Sequence, residues 1–264
     1  MDMQLNDRRA LVTGSTSGIG YAIARALAAE GAHVTISGRT QSRVDVALAK
    51  LRNEVPNAKA DGVAADCASV AGAETVFARV PDTDILINNL GIYERKPFFD
   101  IPDEDWSRMF EVNVMSGVRF SRFYTPKMVY RKWGRVIFVS SESGLNIPPE
   151  MIHYGFSKTA QLSISRGLAM ALSGTGVTVN ALLPGPTRTD TTERQRKERA
   201  AAAGISVPQL EKEFFEKFRP SSIIKRFADG DEVAPLAVYL ASPLSAVTTG
   251  ATLRVEGGIV NQIT

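Results

Sequence analysis

The sequence predicts an α/β fold, a doubly wound parallel sheet of about seven strands with helices on both faces. Three observations carry that expectation. Short apolar runs alternate with longer helical patterns almost from end to end. Runs such as Val136–Val139 show no polar alternation, as expected of strands covered on both faces. No Pro/Gly/Ser-rich linker, low-complexity tract or internal repeat interrupts the 264 residues, 44% of them apolar. A single domain over residues 1–264 is therefore expected.

The strands fall at Ala10–Thr13, His33–Ser37, Gly62–Ala65, Asp84–Asn88, Arg135–Ser140, Val177–Leu183 and Thr252–Val255. Each is a short run of mainly apolar residues ending in polar residues or glycine. Helical patterns lie between most of them, at Ile19–Glu30, Ser42–Asn53, Ser69–Arg79, Glu104–Tyr130, Tyr154–Ser173 and Asp231–Ala241. The fourth carries a seam of Trp106, Phe110, Gly117, Phe120 and Tyr124 at three- and four-residue steps. The fifth has an apolar stripe of Phe156, Ala160, Ile164, Leu168 and Leu172, expected to be its packed side. The segment 187–226 breaks the rhythm: it is charged, helix-prone and without a strand, and it follows a strand end where a lid would be anchored.

The net charge of +3 comes from interspersed signs. The densest basic stretch, Arg194 to Arg199, is broken by Glu198 and reads as a solvated helix face, so no nucleic-acid partner is expected. The single Cys67 cannot form an internal disulfide, and two histidines cannot build a His-rich zinc site; no metal is expected. The N-terminal residues lack a signal-peptide core and no apolar run has membrane-spanning length. A soluble cytoplasmic protein without membrane partners is the expectation.

In open parallel sheets, ligands bind beyond the carboxyl ends of the strands. Those ends read Thr13–Gly20 (TGSTSGIG), Gly38–Arg39, Asp66, Asn88–Gly91, Ser140–Ser141 and Pro184–Gly185. One extended ligand crossing the sheet edge accounts for all of them. Gly14, Gly18 and Gly20 allow a tight turn and close backbone approach to a pyrophosphate. The helix starting near Ile19 points its free N–H groups at the phosphates. A glycine turn between a first strand and a helix favours dinucleotide binding. Tyr154 and Lys158, four apart, share a helix face, and an ammonium there favours phenolate over a phenol pKa near 10. Asn113 falls on the apolar seam, where an amide is costly unless hydrogen-bonded.

These motifs, with YGFSK at Tyr154–Lys158, PGPTRT at Pro184–Thr189 and VEGG at Val255–Gly258, together resemble the short-chain dehydrogenase/reductase family over nearly the whole chain. The resemblance implies a Rossmann-like oxidoreductase that moves a hydride between a nicotinamide cofactor and an alcohol or carbonyl substrate. It assigns catalysis to Asn113, Ser141, Tyr154 and Lys158. Tyr154 is the acid/base, Ser141 orients the substrate oxygen, Lys158 holds the ribose and lowers the tyrosine pKa, and Asn113 helps hold a proton-relay water. The cofactor would lie on Gly14, Ser15, Ser17, Gly18, Ile19, Gly20, Arg39, Asp66, Cys67, Asn89, Gly91, Tyr154, Lys158, Pro184, Gly185, Thr187 and Thr189. Asp66 would face the adenine, with Asn89 and Gly91 at the nearby ribose. A homotetramer is implied as well.

The second strand ends in Ser37-Gly38-Arg39, without the carboxylate that binds a ribose 2′-hydroxyl. Arg39 can clamp a 2′-phosphate and Gly38 would leave room for it, so NADP(H) is favoured and NAD(H) is the other candidate. Leu90 replaces the commoner alanine of NNAG, Phe156 a small residue of YxASK, and Glu256 an aspartate. Expected pocket contributors are Glu142, Ser143, Leu145, Glu150, Met151, Pro186, Phe214, Phe215 and Phe218, with Glu150 and His153 available to a polar substrate group. The alternatives are a non-catalytic nucleotide-binding regulator or scaffold on the same fold, against which all four reacting residues argue, and an isomerase or dehydratase.

Overall fold

The structure, a computed structural model, describes residues 1–263. Seven strands form one parallel sheet: β1 (Arg9–Val12), β2 (His33–Gly38), β3 (Ala60–Ala64), β4 (Ile85–Asn88), β5 (Gly134–Val139), β6 (Val177–Pro184) and β7 (Thr252–Val255). Their spatial order is β3-β2-β1-β4-β5-β6-β7. The chain winds outward from β1 to β3, then crosses back to place β4 beside β1. That reversal opens a crevice beyond the carboxyl ends of β1 and β4, the place where such sheets bind ligands.

Around the sheet lie α1 (Gly18–Ala29), α2 (Gln41–Glu54), α3 (Val70–Arg79), α4 (Asp103–Phe110), α5 (Ser116–Tyr130), α6 (Ile152–Ala171), α7 (Asp190–Ala203), α8 (Val207–Lys217) and α9 (Gly230–Ala241). Side chains alternate across the strands, so each sheet face has its own core. Val12, Ile36, Ile87 and Ile137 pack with Ile23, Leu27, Leu51, Val233 and Ala237 on one face. Leu11, Leu86, Val136 and Val179 pack with Val76, Phe120, Tyr124 and Met128 on the other. Tyr124 keeps its hydroxyl satisfied by donating to the Val80 carbonyl at 2.6 Å.

Two expectations need correction. The helix anticipated over Glu104–Tyr130 is not uniform, because a π-helical turn at Glu111–Met115 separates α4 from α5. The extra residue in that turn rotates the seam. Phe120 and Tyr124 are fully buried, whereas Phe110 remains 40% exposed. The second correction concerns α6. Its fully buried face is small and polar, with Ser157, Lys158, Gln161, Ser165 and Ala169. Phe156 is 45% exposed, and Ile164, Leu168 and Leu172 only flank the core. Small side chains let α6 approach the sheet, and the buried polar groups Ser157, Lys158 and Gln161 find partners there.

Segment 187–226 folds into α7 and α8. Thr189 and Thr192 form a reciprocal cap that starts α7, and Gly204 at φ 65° ends it in the left-handed region. The roots of the segment are tied: the Arg188 N–H donates to the Ala228 carbonyl at 2.8 Å and the Ala228 N–H to the Pro186 carbonyl at 2.9 Å. No helix among the described residues is long and apolar enough to cross a membrane.

Candidate active site

The turn after β1 is braced from below. The Gly14 N–H donates to Ser37 Oγ at 3.0 Å, the Ser37 N–H donates to Ser15 Oγ at 3.0 Å, and the Ser15 hydroxyl donates to the Val12 carbonyl at 2.7 Å. From the β4 side, Asn89 Nδ2 donates to the carbonyls of Thr13 and Gly14 at 2.9 and 3.0 Å. Gly14 and Gly18 have φ of 62° and 60°, which disfavours any side chain there. At Gly20 the need is space, since a Cβ would lie 2.3 Å from Asn89 Nδ2. Ser17 begins α1 without a side-chain cap, and no acidic residue occupies the first turn. The first N–H groups of α1 thus lack a side-chain acceptor and face the crevice mouth, a donor set that fits a pyrophosphate.

Other expected cofactor residues sort by position. Thr189 touches the turn, because a Cβ on Gly18 would lie 3.0 Å from its Cγ2. Thr187 donates to the Gly185 carbonyl at 2.9 Å, which shapes the loop after β6. Asp66 is exposed at the end of β3. The buried Cys67 thiol instead contacts Ser37 Oγ at 3.4 Å, beneath the turn. Arg39 is exposed and makes no ion pair among the described residues. Gly38 does not serve as open space: a Cβ there would meet Thr16 Cγ2 at 2.4 Å, so this glycine is required for packing against the turn. Leu90 likewise packs over Gly14.

The four expected catalytic residues converge. Ser141 follows β5, and Tyr154 and Lys158 project from α6. Asn113 sits in the π-turn, fully buried. The Asn113 side chain clasps the backbone of Ile92, accepting from its N–H at 2.7 Å and donating to its carbonyl at 2.9 Å. Lys158 Nζ lies 5.6 Å from the Tyr154 ring centre and donates to the Val139 carbonyl at 3.0 Å. A Cβ on Gly91 would fall 3.3 Å from that amine, so glycine keeps this side of the amine uncrowded.

Burial governs the electrostatics here. It pushes the Lys158 amine down to about 7. It also pushes the Tyr154 phenol well above its ordinary value, opposed by the Ser141 hydroxyl and reinforced by the Glu142 charge. The net direction in the chain alone is therefore upward, set first by desolvation, rather than the depression expected from Lys158.

Ser141 and Tyr154 line a cavity of about 690 Å³. Of the expected contributors, Glu142, Ser143, Met151, Pro186, Phe214 and Phe218 line it. Leu145, Glu150 and Phe215 do not; Phe215 is buried on the packed side of α8. His153 is also corrected, since it is fully buried beside Trp106 and its pKa is lowered by that burial. Sequence reasoning missed Tyr93, Arg95 and Arg219. Tyr93 donates to Gln195 Oε1 at 2.9 Å, joining the loop after β4 to α7. Arg95 lies over the rings of Phe218 and Phe214 at 4.9 and 5.4 Å. Arg219 Nε donates to Glu142 Oε1 at 2.8 Å, and Glu142 Oε2 accepts from the Ser141 hydroxyl at 2.5 Å. A buried ion pair thus links segment 187–226 to the serine.

The family model for short chain dehydrogenase matches residues 8–200. The chain belongs to this family. It is an NAD(P)-dependent oxidoreductase of alcohol and carbonyl groups. An uncharacterized oxidoreductase of Bacillus subtilis, YvaG, is 44% identical over 263 residues, covering 100% of both chains. A D-beta-hydroxybutyrate dehydrogenase of Cupriavidus necator is 34% identical, covering 98% of this chain and 100% of that one. Among solved structures, L-sorbose reductase from Gluconobacter frateurii, complexed with NADPH and L-sorbose, superposes with a TM-score of 0.93 at 29% identity, covering 100% of both chains.

Proposed function

We propose that this dehydrogenase interconverts an alcohol and a carbonyl compound with NADP(H), using Tyr154 as the general acid/base. The observation that carries the reading is the placement of Ser141 and Tyr154 on the wall of one cavity, with Lys158 behind the tyrosine. The bound nicotinamide supplies or takes up the hydride. Ser141 orients the substrate oxygen, Tyr154 gives it a proton in reduction or removes one in oxidation, and Lys158 holds the ribose. Asn113 fixes the loop after β4 through Ile92. The glycine turn with Ser15, Ser17 and Ile19 holds the pyrophosphate. Turnover of carbonyl and alcohol probes that include L-sorbose and D-β-hydroxybutyrate, assayed with both cofactors, tests this reading. Nucleotide binding without turnover of any probe would favour a regulator instead.

Cofactor choice rests on Arg39, whose guanidinium is exposed and has no carboxylate partner. Arg39→Ala should weaken NADPH by roughly 1.5–3 kcal/mol, as for a charge-assisted hydrogen bond, and leave NADH nearly unchanged. Titration of both cofactors checks it, and a parent that binds NADH more tightly than NADPH overturns the preference.

Segment 187–226 is proposed as the substrate lid of a single catalytic unit. Its tied roots and the Tyr93–Gln195 contact support closure over the cavity. Limited proteolysis should cut within α7 and α8 first, and NADPH with a substrate analogue should slow the cutting. Equal rates with and without ligands would count against a lid. Exposed Phe110 and Phe156, their rings 6.5 Å apart, support burial in a homotetramer, which light scattering would detect.

A further inference from the structure

The proposed catalytic lysine is held by a neighbour outside the tetrad. Gln161 lies one turn beyond Lys158 on α6 and is almost completely buried. Its Nε2 donates to the Asn113 carbonyl at 2.6 Å, and its Oε1 accepts from Lys158 Nζ at 3.2 Å. The direction of the amide follows from its partners. A flipped amide would set an NH₂ against an amine donor and an oxygen against a carbonyl oxygen, losing both bonds.

We propose that Gln161 is a positioning residue that holds the Lys158 ammonium, using the π-turn carbonyl of Asn113 as its anchor. This rests on the reading of Lys158 as the group that serves the cofactor ribose and Tyr154. An ammonium has three N–H donors and no acceptor. Two are taken, by the Val139 carbonyl and by Gln161 Oε1. The third is the donor left for a ligand on the side kept open by Gly91. A neutral amine bonded to the same two acceptors would present only a lone pair there. The Gln161 acceptor favours the charged form and restricts where the remaining N–H can point.

The surroundings isolate this contribution. From its own helix, Lys158 faces Tyr154. From β5 and the π-turn it meets the neutral Val139 and Asn113, and from the loop after β4 it meets Gly91. The turn at Glu142–Gly144 also packs on α6, with the Glu142 carboxylate engaged by Ser141, Ser143 and Arg219. No charged group offsets the burial that lowers the Lys158 pKa. The amide and one backbone carbonyl are therefore its polar support.

The test follows Lys158 itself in the 264-residue chain labelled with ¹³C at lysine Cε, with its resonance assigned by Lys158→Met. In the parent, the amine should titrate well below the ordinary lysine value. Gln161→Met keeps the volume but removes the acceptor, so the ammonium is less favoured and the titration should move to lower pH. Gln161→Glu places a carboxylate beside the amine and should move it up by about one unit or more. Opposite shifts in two folded variants, judged by circular dichroism, support the proposal. Variants that are less stable yet titrate at the parental pH would reduce Gln161 to a packing residue and overturn it. The titration needs no substrate or turnover, so failure of the acid/base reading of Tyr154 would be visible separately.

Discussion

Tyr154→Phe should lower turnover by about a hundredfold or more while leaving NADPH affinity close to that of the parent. The substitution removes one oxygen and leaves the ring, which packs edge-on to Tyr93 at 6.3 Å. Retention of a tenth or more of the parent rate would sink the acid/base assignment. The pH dependence has a predicted sign. Burial and the Glu142 charge raise the phenol's pKa, so in the free enzyme it remains protonated across the neutral range. Reduction needs a proton on that oxygen, so titration of the tyrosine itself should not limit it near neutral pH. Oxidation needs the proton removed and should climb with rising pH. Rate profiles in the two directions measure this, and an oxidation rate that falls between neutral and alkaline pH would contradict it.

The strands were legible because continuous apolar runs bounded by polar strand ends have few other uses in a chain of this composition. All seven lie within two residues of their expected boundaries. Helical spacing made the shared face of Tyr154 and Lys158 legible, while the grouping with Ser141 and Asn113 was expected from the family resemblance. The π-turn was not, because a single residue added to a helix leaves the apolar pattern intact on both sides and changes only their relative rotation. The packed face of α6 was misread for a related reason. Pattern reasoning treats large apolar residues as the buried ones, but close approach to a sheet selects small ones such as Ser157, Ser165 and Ala169. Gly38 looked like space for a phosphate and proved to be space for Thr16. The pairing of Glu142 with Arg219 spans 77 residues of chain, a separation at which spacing conveys nothing. The charged run Glu94-Arg95-Lys96 after β4 is a signal that the sequence does carry for this side of the cavity.

Arg219→Ala should cost about 3–5 kcal/mol of stability, the range for stripping one partner from a buried ion pair. Side-chain exposure is 7% for Arg219 and 4% for Glu142, so neither charge is well solvated once its partner is gone. Glu142 would keep hydrogen bonds from the hydroxyls of Ser141 and Ser143 but lose its cation. The loss should therefore come mainly from an uncompensated carboxylate rather than from missing contacts. A double variant, Arg219→Leu with Glu142→Leu, separates the two explanations, because replacing both charges by apolar groups is often neutral or stabilising. It should recover part of the stability lost by Arg219→Ala, because Glu150, 3.8 Å from the Arg219 guanidinium, also loses its cation. Urea unfolding of parent, single and double variants supplies the numbers. A cost below about 1 kcal/mol for Arg219→Ala, the value of an exposed pair, would mean that water reaches the site and the pair does not tie the segment down. With the tie intact, Arg219 secures the chain just beyond α8 to the turn that carries Ser141, so its loss should also speed proteolysis within α7 and α8. Faster cleavage at unchanged sites, together with the stability deficit, would place the anchor of this segment at Glu142, the immediate neighbour of Ser141.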